Sequence, residues 1–291
     1  MIPCTTKEYY KWKTGQINIQ TCSDDFRVDK ALEECKRANL DVVCFQESRL
    51  LDTGSLKHSG YSLYWSGMKR KRKHGVAIAI KNCPNIEINS IHSVNSRLMA
   101  VDLSIKGFKA RIVSSYAPTL QGSATSTKQT FYRELTKLSK TDQNRKLIVQ
   151  GDFNAEFEIS RWHSCYDGAK TRAETDGLNQ INENCMFFLQ YCIENKLSIL
   201  NTWFDHPIRH RVTWHHPNQS LSCQKVYDYS LCRSWTRQFV TDVRVRNSYF
   251  NLDHRLLVTK FTTPSNRAAR FFKRKDIFQD LNLTTCKTWR Y

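Results

Sequence analysis

Short apolar segments separated by turn residues recur along the chain and predict β-strands. The runs VVCF at 42–45 and VAIAI at 76–80 are continuously apolar, whereas 101–105 alternates between apolar and polar residues. Continuous runs are typical of strands that pack against a second sheet, and alternation is typical of strands with one covered face. Strands are predicted in this way at 16–21, 41–46, 75–80, 98–105, 110–116, 146–150, 198–202, 226–232 and 256–261.

Three other segments repeat their apolar residues at helical spacing. The apolar residues of 25–39 stand at i, i+3, i+4 and i+7 from Val28, and 127–138 places Phe131 and Leu135 on one face. The third segment, 182–195, mixes apolar and polar positions. Because strands outnumber helices and the helices fall between strands, the pattern predicts an α/β sandwich of two sheets with helices outside.

Length and charge narrow the class of protein. The 291 residues are enough for one large α/β domain or two average domains. Lys and Arg number 45 against 27 Asp and Glu, which gives a formal net charge of +18. Such a charge attracts polyanions, of which nucleic acid is the commonest, and the 12% of aromatic residues supply rings that can stack on bases.

The sequence predicts neither a membrane span nor a secretion signal. The apolar run at 76–80 is among the longest and is too short to cross a bilayer, and the opening MIPCTTKEYYKWK lacks an apolar signal region. The 11 cysteines include no CxxC pair, which favours reduced and mostly buried thiols and gives zinc only weak support. We therefore expect a nuclear protein, cytoplasmic before import.

Two segments are rich in basic residues. Nucleic-acid contact is predicted for the run of Lys69, Arg70, Lys71, Arg72 and Lys73. A nuclear-import signal and a solvated loop are alternative interpretations of that run. The segment 264–291 loses strand periodicity, and we interpret it as a basic tail or linker, or else as a C-terminal helix on the surface.

The most specific string is Gly151-Asp152-Phe153-Asn154, which directly follows the apolar run at 147–149. A strand end holds residues two apart on the same side, so Asp152 and Asn154 are expected to face one site. A carboxylate there can deprotonate water, and a carboxamide can donate to a phosphate oxygen. Because Gly, Asp and Asn are also turn residues, a plain turn is the alternative interpretation.

Other polar residues also stand at the ends of predicted strands. Glu47 follows one strand, Tyr116 ends another, and Asp253 with His254 precedes the last. Asp228 falls within an aromatic strand, where a buried carboxylate requires a partner, and a histidine is the natural one. Taken singly, each of these residues is more often structural than catalytic.

Together these motifs resemble the endonuclease/exonuclease/phosphatase superfamily. The matching strings are INI, FQES, SYAP, GDFNA, YDYSL and LDH, and the resemblance extends over about 15–261. It is nearest to the endonuclease domains of RTE-type non-long-terminal-repeat retrotransposons and to craniofacial development protein 2-like proteins. Abasic-site repair enzymes usually carry an aspartate where this chain has Gln20, which favours the transposon branch.

The resemblance implies a four-layer α/β sandwich of the DNase I type over residues 1–263, acting as a metal-dependent DNA endonuclease. It assigns Glu47, Asn18 and Asp253 to a bound Mg²⁺ or Mn²⁺, with no small-molecule cofactor. It assigns catalytic roles to Asp152 as the activator of water, to Asn154, Tyr116 and His254 as stabilisers of transition-state charge, and to Asp228 as the residue that orients His254. The implied product is a nick with 3′-hydroxyl and 5′-phosphate ends.

The expected partner is DNA, and we expect a monomer whose reverse transcriptase is encoded elsewhere or lost. Two other functions stay open. One is a catalytically inactive, domesticated protein that binds nucleic acid or chromatin through its charge. The other is a phosphodiesterase acting on a non-nucleic substrate, although small phosphates do not require a net charge of +18.

Overall fold

The computed structural model describes residues 8–156, 182–216, 224–247 and 252–265. The strands in these ranges are β1 (Tyr9–Asn18), β2 (Val42–Gln46), β3 (Thr53–His58), β4 (Tyr61–Ser66), β5 (Val76–Lys81), β6 (Ile86–Asn95), β7 (Leu98–Ile105), β8 (Phe108–Tyr116), β9 (Lys146–Asp152), β10 (Leu197–Ile199), β11 (Trp214–His215), β12 (Gln224–Lys225), β13 (Asp228–Arg233), β14 (Val240–Arg246) and β15 (Leu256–Pro264). The helices are α1 (Asp25–Arg37), α2 (Thr125–Leu138) and α3 (Glu183–Glu194), with short 3-10 helices at Leu200–Thr202, Ile208–His210 and Ser234–Phe239.

Two mixed sheets pack face to face. One has seven strands in the order β14-β15-β1-β2-β5-β4-β3, and the other has six in the order β10-β13-β9-β8-β7-β6. The apolar core between them contains Trp12 of β1, whose ring stacks on Phe261 of β15 at a centroid distance of 4.2 Å. The strands β11 and β12 form a separate two-stranded sheet.

Helices cover the outer faces of both sheets and complete four layers. Val28, Leu32 and Cys35 of α1 pack on the seven-stranded sheet, and α2 and α3 share a second outer core with the six-stranded sheet. The α1 helix begins at a proper cap, because the side chain of Asp24 accepts the backbone N–H of Arg27 at 2.9 Å. The predicted four-layer α/β sandwich is therefore confirmed.

Some predicted elements were shifted or missed. The predicted strand 16–21 is instead β1, which begins at Tyr9 and ends at Asn18, shortly before Gln20 enters the left-handed region at φ +56°. The predicted strand 198–202 is only partly correct, since β10 ends at Ile199 and a 3-10 helix follows. The prediction missed β3, β4, β6 and β14; β3 is almost entirely exposed and so has no apolar pattern.

Two expectations concern thiols and the chain end. The cysteines of the described ranges are free, and all of them except the partly exposed Cys83 are buried. No helix within these ranges is both long and apolar enough to cross a bilayer. The predicted basic tail at 264–291 lies outside the described residues except for its first two, and Pro264 is the last residue of β15.

The topology brings several strand ends to one rim of the sandwich. Asn18, at the end of β1, pairs with Gln46 at the end of β2. In the other sheet, Asp152 at the end of β9 lies between Tyr116 of β8 and Asp228 of β13. Because β1, β2, β8 and β9 end here while β13 and β15 begin here, residues distant in sequence meet at this rim.

Candidate active site

Asn18 joins two carboxylates from opposite sheets. Its Nδ2 donates to Glu47 Oε1 at 2.9 Å and to Asp152 Oδ2 at 3.1 Å. Tyr116 donates its hydroxyl to the same Oε1 of Glu47 at 2.9 Å, and Arg49 donates to Oε2 at 3.1 Å. Burial opposes ionisation of Glu47, but these hydrogen bonds outweigh it and hold the pKa of Glu47 below its ordinary value. Glu47 is therefore an oriented, ionised carboxylate.

Asp228 and His254 form a buried pair on the other side of Asp152. His254 Nδ1 lies 2.8 Å from Asp228 Oδ2, and its Nε2 lies 3.9 Å from Asp152 Oδ2. Burial disfavours the charged imidazole, yet the charge and hydrogen bond of Asp228 outweigh it and raise the pKa of His254. The sequence prediction that Asp228 is buried beside a histidine is confirmed.

Asp152 itself is almost fully buried, at 2% exposure. Burial and the neighbouring charge of Asp228 raise its pKa, although His254 and hydrogen bonds from Asn154 and Asn18 oppose the rise. A carboxylate whose pKa is moved toward neutrality is suited to accepting a proton from water near physiological pH.

Asn154 lies beside Asp152 as predicted, but a turn and not strand alternation places it there. Strand alternation does not connect it to Asp152, because β9 ends at Asp152 and Asn154 has a left-handed φ of +48°. Its backbone N–H donates to Asp152 Oδ1 at 2.9 Å, and its Nδ2 donates to the carbonyl of Ala117 at 3.0 Å. An amide group has two N–H donors, so the Ala117 contact uses one of them.

Asp253 is tied to the site through Gln20. Gln20 Nε2 donates to Asp253 Oδ1 at 2.7 Å, and Trp214 Nε1 donates to Oδ2 at 3.0 Å. The backbone N–H of Gln20 donates to Asn18 Oδ1 at 3.0 Å. Gln20 is the residue at which this chain departs from the repair-enzyme pattern. It thus links the predicted metal ligands Asn18 and Asp253 by hydrogen bonds, which the sequence did not predict.

The donor set fits a hard divalent cation. Asp152, Asp228 and His254 each offer an atom within 4.8 Å of the others. Both oxygens of Asp228 already accept hydrogen bonds, from His254 and from Gln16, so Asp228 is better suited to orienting His254 than to binding metal. The ionised Glu47 beside Asp152 offers the carboxylate oxygens that Mg²⁺ and Mn²⁺ prefer.

A seam of buried amides and hydroxyls lies beneath the site, between the two sheets. Gln16 Nε2 donates to Gln46 Oε1 at 2.9 Å and to Asp228 Oδ1 at 2.6 Å. Gln46 Nε2 in turn donates to Ser114 Oγ of the opposite sheet at 3.1 Å. These side chains have no solvent exposure, and we call them the amide seam.

The predicted basic loop lies at the same rim. Residues Lys69, Arg70, Lys71, Arg72 and Lys73 fall between β4 and β5 and are all exposed. The chain that follows is joined to the Glu47 loop, because the backbone N–H of Arg49 donates to the carbonyl of His74 at 2.8 Å and that of Ser48 to Gly75 at 3.0 Å. The C-terminal end of the loop therefore lies beside the segment that carries Glu47.

Arg97 supports Tyr116 through contacts that the sequence did not predict. Its guanidinium donates to the carbonyls of Tyr116 and Ala117 at 3.2 Å each, and its Cζ lies 4.9 Å from the centroid of the Tyr116 ring. Arg97 lies in the turn between β6 and β7 and stands in no recognisable motif, so only the folded structure reveals this contact.

Comparisons with known proteins agree with the geometry. Residues 15–248 match the Endonuclease/Exonuclease/phosphatase family. Craniofacial development protein 2 of Bos taurus is 27% identical over 260 residues, which is 89% of this chain and 42% of the relative. The chain thus spans less than half the length of this curated relative.

Two solved structures share the fold at low sequence identity. The endonuclease domain of TRAS1, a telomere-specific non-LTR retrotransposon, superposes with a TM-score of 0.62 at 14% identity, covering 86% of this chain and 98% of that one. The 3′ phosphatase NExo from Neisseria, bound to a product DNA hairpin, gives 0.62 at 18% identity, covering 86% and 99%. By the family match over most of its length, this chain belongs to the endonuclease/exonuclease/phosphatase family.

Proposed function

We propose that this chain is a Mg²⁺- or Mn²⁺-dependent endonuclease that nicks DNA, leaving 3′-hydroxyl and 5′-phosphate ends. The observation that carries the proposal is the convergence of Asn18, Glu47, Asp152, Asp228 and His254. These residues span more than 200 positions of sequence and meet at one rim through hydrogen bonds and an ion pair. The net charge of +18 and the exposed basic loop favour a polyanionic substrate.

Each side chain has a role that follows from its contacts. Asp152 accepts the proton of the attacking water, because its raised pKa gives the carboxylate affinity for that proton. His254 Nε2 lies 3.9 Å from Asp152 Oδ2 while Asp228 holds Nδ1, so in this proposal His254 donates from Nε2 to a phosphate oxygen. Asn154 is held beside Asp152 to support the same charge.

Glu47, oriented by Asn18 and Tyr116, would hold the cation, with Asp253 positioned through Gln20. When bound, such a cation polarises the scissile phosphate and stabilises the leaving oxygen. Lys69, Arg70, Lys71, Arg72 and Lys73 contact the DNA backbone, which makes binding steeply dependent on salt but carries no base information. A nick of this kind can prime reverse transcription, so the proposal includes a role in, or descent from, a retrotransposon.

The test is nicking of supercoiled plasmid by purified protein with Mg²⁺. We expect relaxed circles that DNA ligase reseals, since ligase requires a 3′-hydroxyl and a 5′-phosphate. Asp152→Asn should abolish nicking, whereas the matched control Asp142→Asn, an exposed carboxylate paired with Arg145, should nick normally.

Three outcomes would contradict the proposal. Equal nicking by the Asp152→Asn variant would show that the candidate site is not responsible for the nicking. Salt-sensitive DNA retention with no turnover in any divalent cation would favour the inactive binding protein. Turnover of a phosphoinositide without turnover of plasmid would identify a phosphodiesterase with another substrate.

A further inference from the structure

The outer face of the seven-stranded sheet carries a group of cations away from the active site. The α1 helix covers part of this face, where Ile17, Val43 and Ala77 pack beneath it. Because side chains alternate along a strand, the same face also presents residues of β1, β5, β14 and β15 that lie beside the covered part. Its cationic members, none of them fully buried, are Lys11, Lys13, Lys81, Arg244, Arg246 and Lys260, which we call the cationic sheet face.

Strand register brings these charges close together. Lys13 stands directly opposite Lys260 in the antiparallel pair of β1 and β15, and like charges in that position destabilise a sheet. Burial, together with the charges of Arg246, Lys260 and Lys81, lowers the pKa of Lys13. A sheet face that keeps mutually repelling cations is explained by a negatively charged ligand better than by stability.

Two carboxylates offset part of this positive charge and hold nearby groups of the face in position. Asp242 Oδ2 forms salt bridges with Arg244 Nε at 2.7 Å and with Lys260 Nζ at 2.9 Å. Asp41 Oδ2 accepts the backbone N–H of Lys13 at 2.8 Å rather than its ammonium group. Among the described residues, the ammonium of Lys13 and the exposed guanidinium of Arg246 form no salt bridge, which leaves both charges available to a ligand from outside the sheet.

The cationic sheet face begins at the rim of the active site. Arg246 pairs with Leu256, which follows His254 by two residues. Lys260 lies four residues further along β15. At about 3.3 Å per residue this is roughly 13 Å, the length of about four nucleotides of one strand at ~3.4 Å each.

We propose that the cationic sheet face binds the phosphate backbone of single-stranded nucleic acid that continues from the active site over the rim. A single strand can turn from the rim onto the side of the sheet, whereas duplex DNA is too stiff to bend so sharply over a few base pairs without a large cost. The proposal rests on the proposed function, because the nucleic-acid strand bound in the active site would extend past the rim to Arg246.

The experiment measures binding by fluorescence anisotropy in the Asp152→Asn background, so that cleavage does not interfere. One probe is a blunt DNA duplex, and the other is the same duplex with a single-stranded extension, tested on each strand. The test variant is Lys13→Gln/Lys260→Gln/Arg246→Gln. The matched control is Lys109→Gln/Lys137→Gln/Lys140→Gln, which removes exposed cations beside the six-stranded sheet.

We expect the extension to strengthen binding by the parent and the control variant, and to have little effect on the test variant. The salt dependence for the extended probe should weaken by about 2 in logarithmic slope in the test variant, from ~0.7 per lost phosphate contact. Melting temperatures of both variants establish that they are folded; in the test variant, loss of the Lys13–Lys260 repulsion should offset part of the loss of the Lys260–Asp242 ion pair.

An equal gain from the extension in parent and test variant would overturn the proposal, as would no gain in the parent. Loss of binding to phosphatidylserine vesicles, with the extension effect retained, would assign the face to a lipid surface instead. Plasmid nicking by the unsubstituted protein tests the proposed function separately. Nicking without an extension effect would refute this inference alone, and absence of nicking would refute the proposed function.

Discussion

Asp228→Asn is the substitution that most directly tests how the site is organised. The carboxylate has no solvent exposure, and it accepts from His254 Nδ1 at 2.8 Å and from Gln16 Nε2 at 2.6 Å. An asparagine has the same shape but only one accepting oxygen, so one of these two donors would face its amide N–H. The substitution therefore removes a charge and breaks one buried hydrogen bond while leaving the volume unchanged.

The expected magnitudes follow from these contacts. A hydrogen bond to a charged group contributes about 1.5–3 kcal/mol, which corresponds to roughly a 10- to 150-fold loss of nicking rate if it holds His254 in place. One donor left unsatisfied should lower the free energy of unfolding by about 1–3 kcal/mol. Plasmid nicking and urea unfolding followed by circular dichroism measure the two quantities.

A double-mutant cycle separates positioning from an independent catalytic role. If Asp228 acts through His254, the double variant Asp228→Asn/His254→Gln should lose no more activity than His254→Gln alone. Losses that multiply, or an Asp228→Asn variant that unfolds more easily yet nicks at the normal rate, would refute this assignment of Asp228.

Two further outcomes are expected elsewhere in the molecule. Tyr116→Phe removes the hydroxyl that donates to Glu47 and should slow plasmid nicking by about tenfold. Tyr132→Phe, at a buried tyrosine of α2, should nick at the normal rate; equal rates for both variants would contradict the role of the Tyr116 hydrogen bond. Burial opposes ionisation of Asp102, but Arg111, His92 and Arg145 hold its pKa well below its ordinary value. Its stabilisation is present above the unfolded-state pKa of about 4 and is lost as pH falls through the lower folded pKa. The unfolding free energies of wild type and Asp102→Asn should therefore converge on acidification, and a constant difference would disprove the assignment.

The sequence located the residues that meet at the rim better than it located the individual strands, for a physical reason. Glu47, Asp152 and His254 stand next to apolar strands, and a strand end is a local feature that pattern can locate. The strands β3 and β6 were missed because their sides are largely exposed, so neither gives a continuous or strictly alternating apolar pattern. Burial, which creates such patterns, is a property of the folded molecule.

Contacts that cross the molecule could not be predicted in detail. Gln16 and Asp228 are 212 residues apart, and nothing local to either indicates their hydrogen bond. Asn154 illustrates the opposite error, because the alternation rule was applied beyond the end of β9. The left-handed conformation of Asn154 replaces strand geometry with a turn whose N–H binds Asp152.

The amide seam makes the spacing of the candidate site residues a property of the interior. Gln16 and Gln46 join neighbouring strands, and their remaining bonds reach Asp228 and Ser114 across the sandwich. A purely apolar interface between the sheets would tolerate a small displacement of one sheet relative to the other. In this interior such a displacement would break hydrogen bonds between buried amides, which have no water to replace their partners. Replacing these glutamines by leucines would leave an apolar interior that no longer fixes the relative positions of the two sheets and of the site residues at their rim.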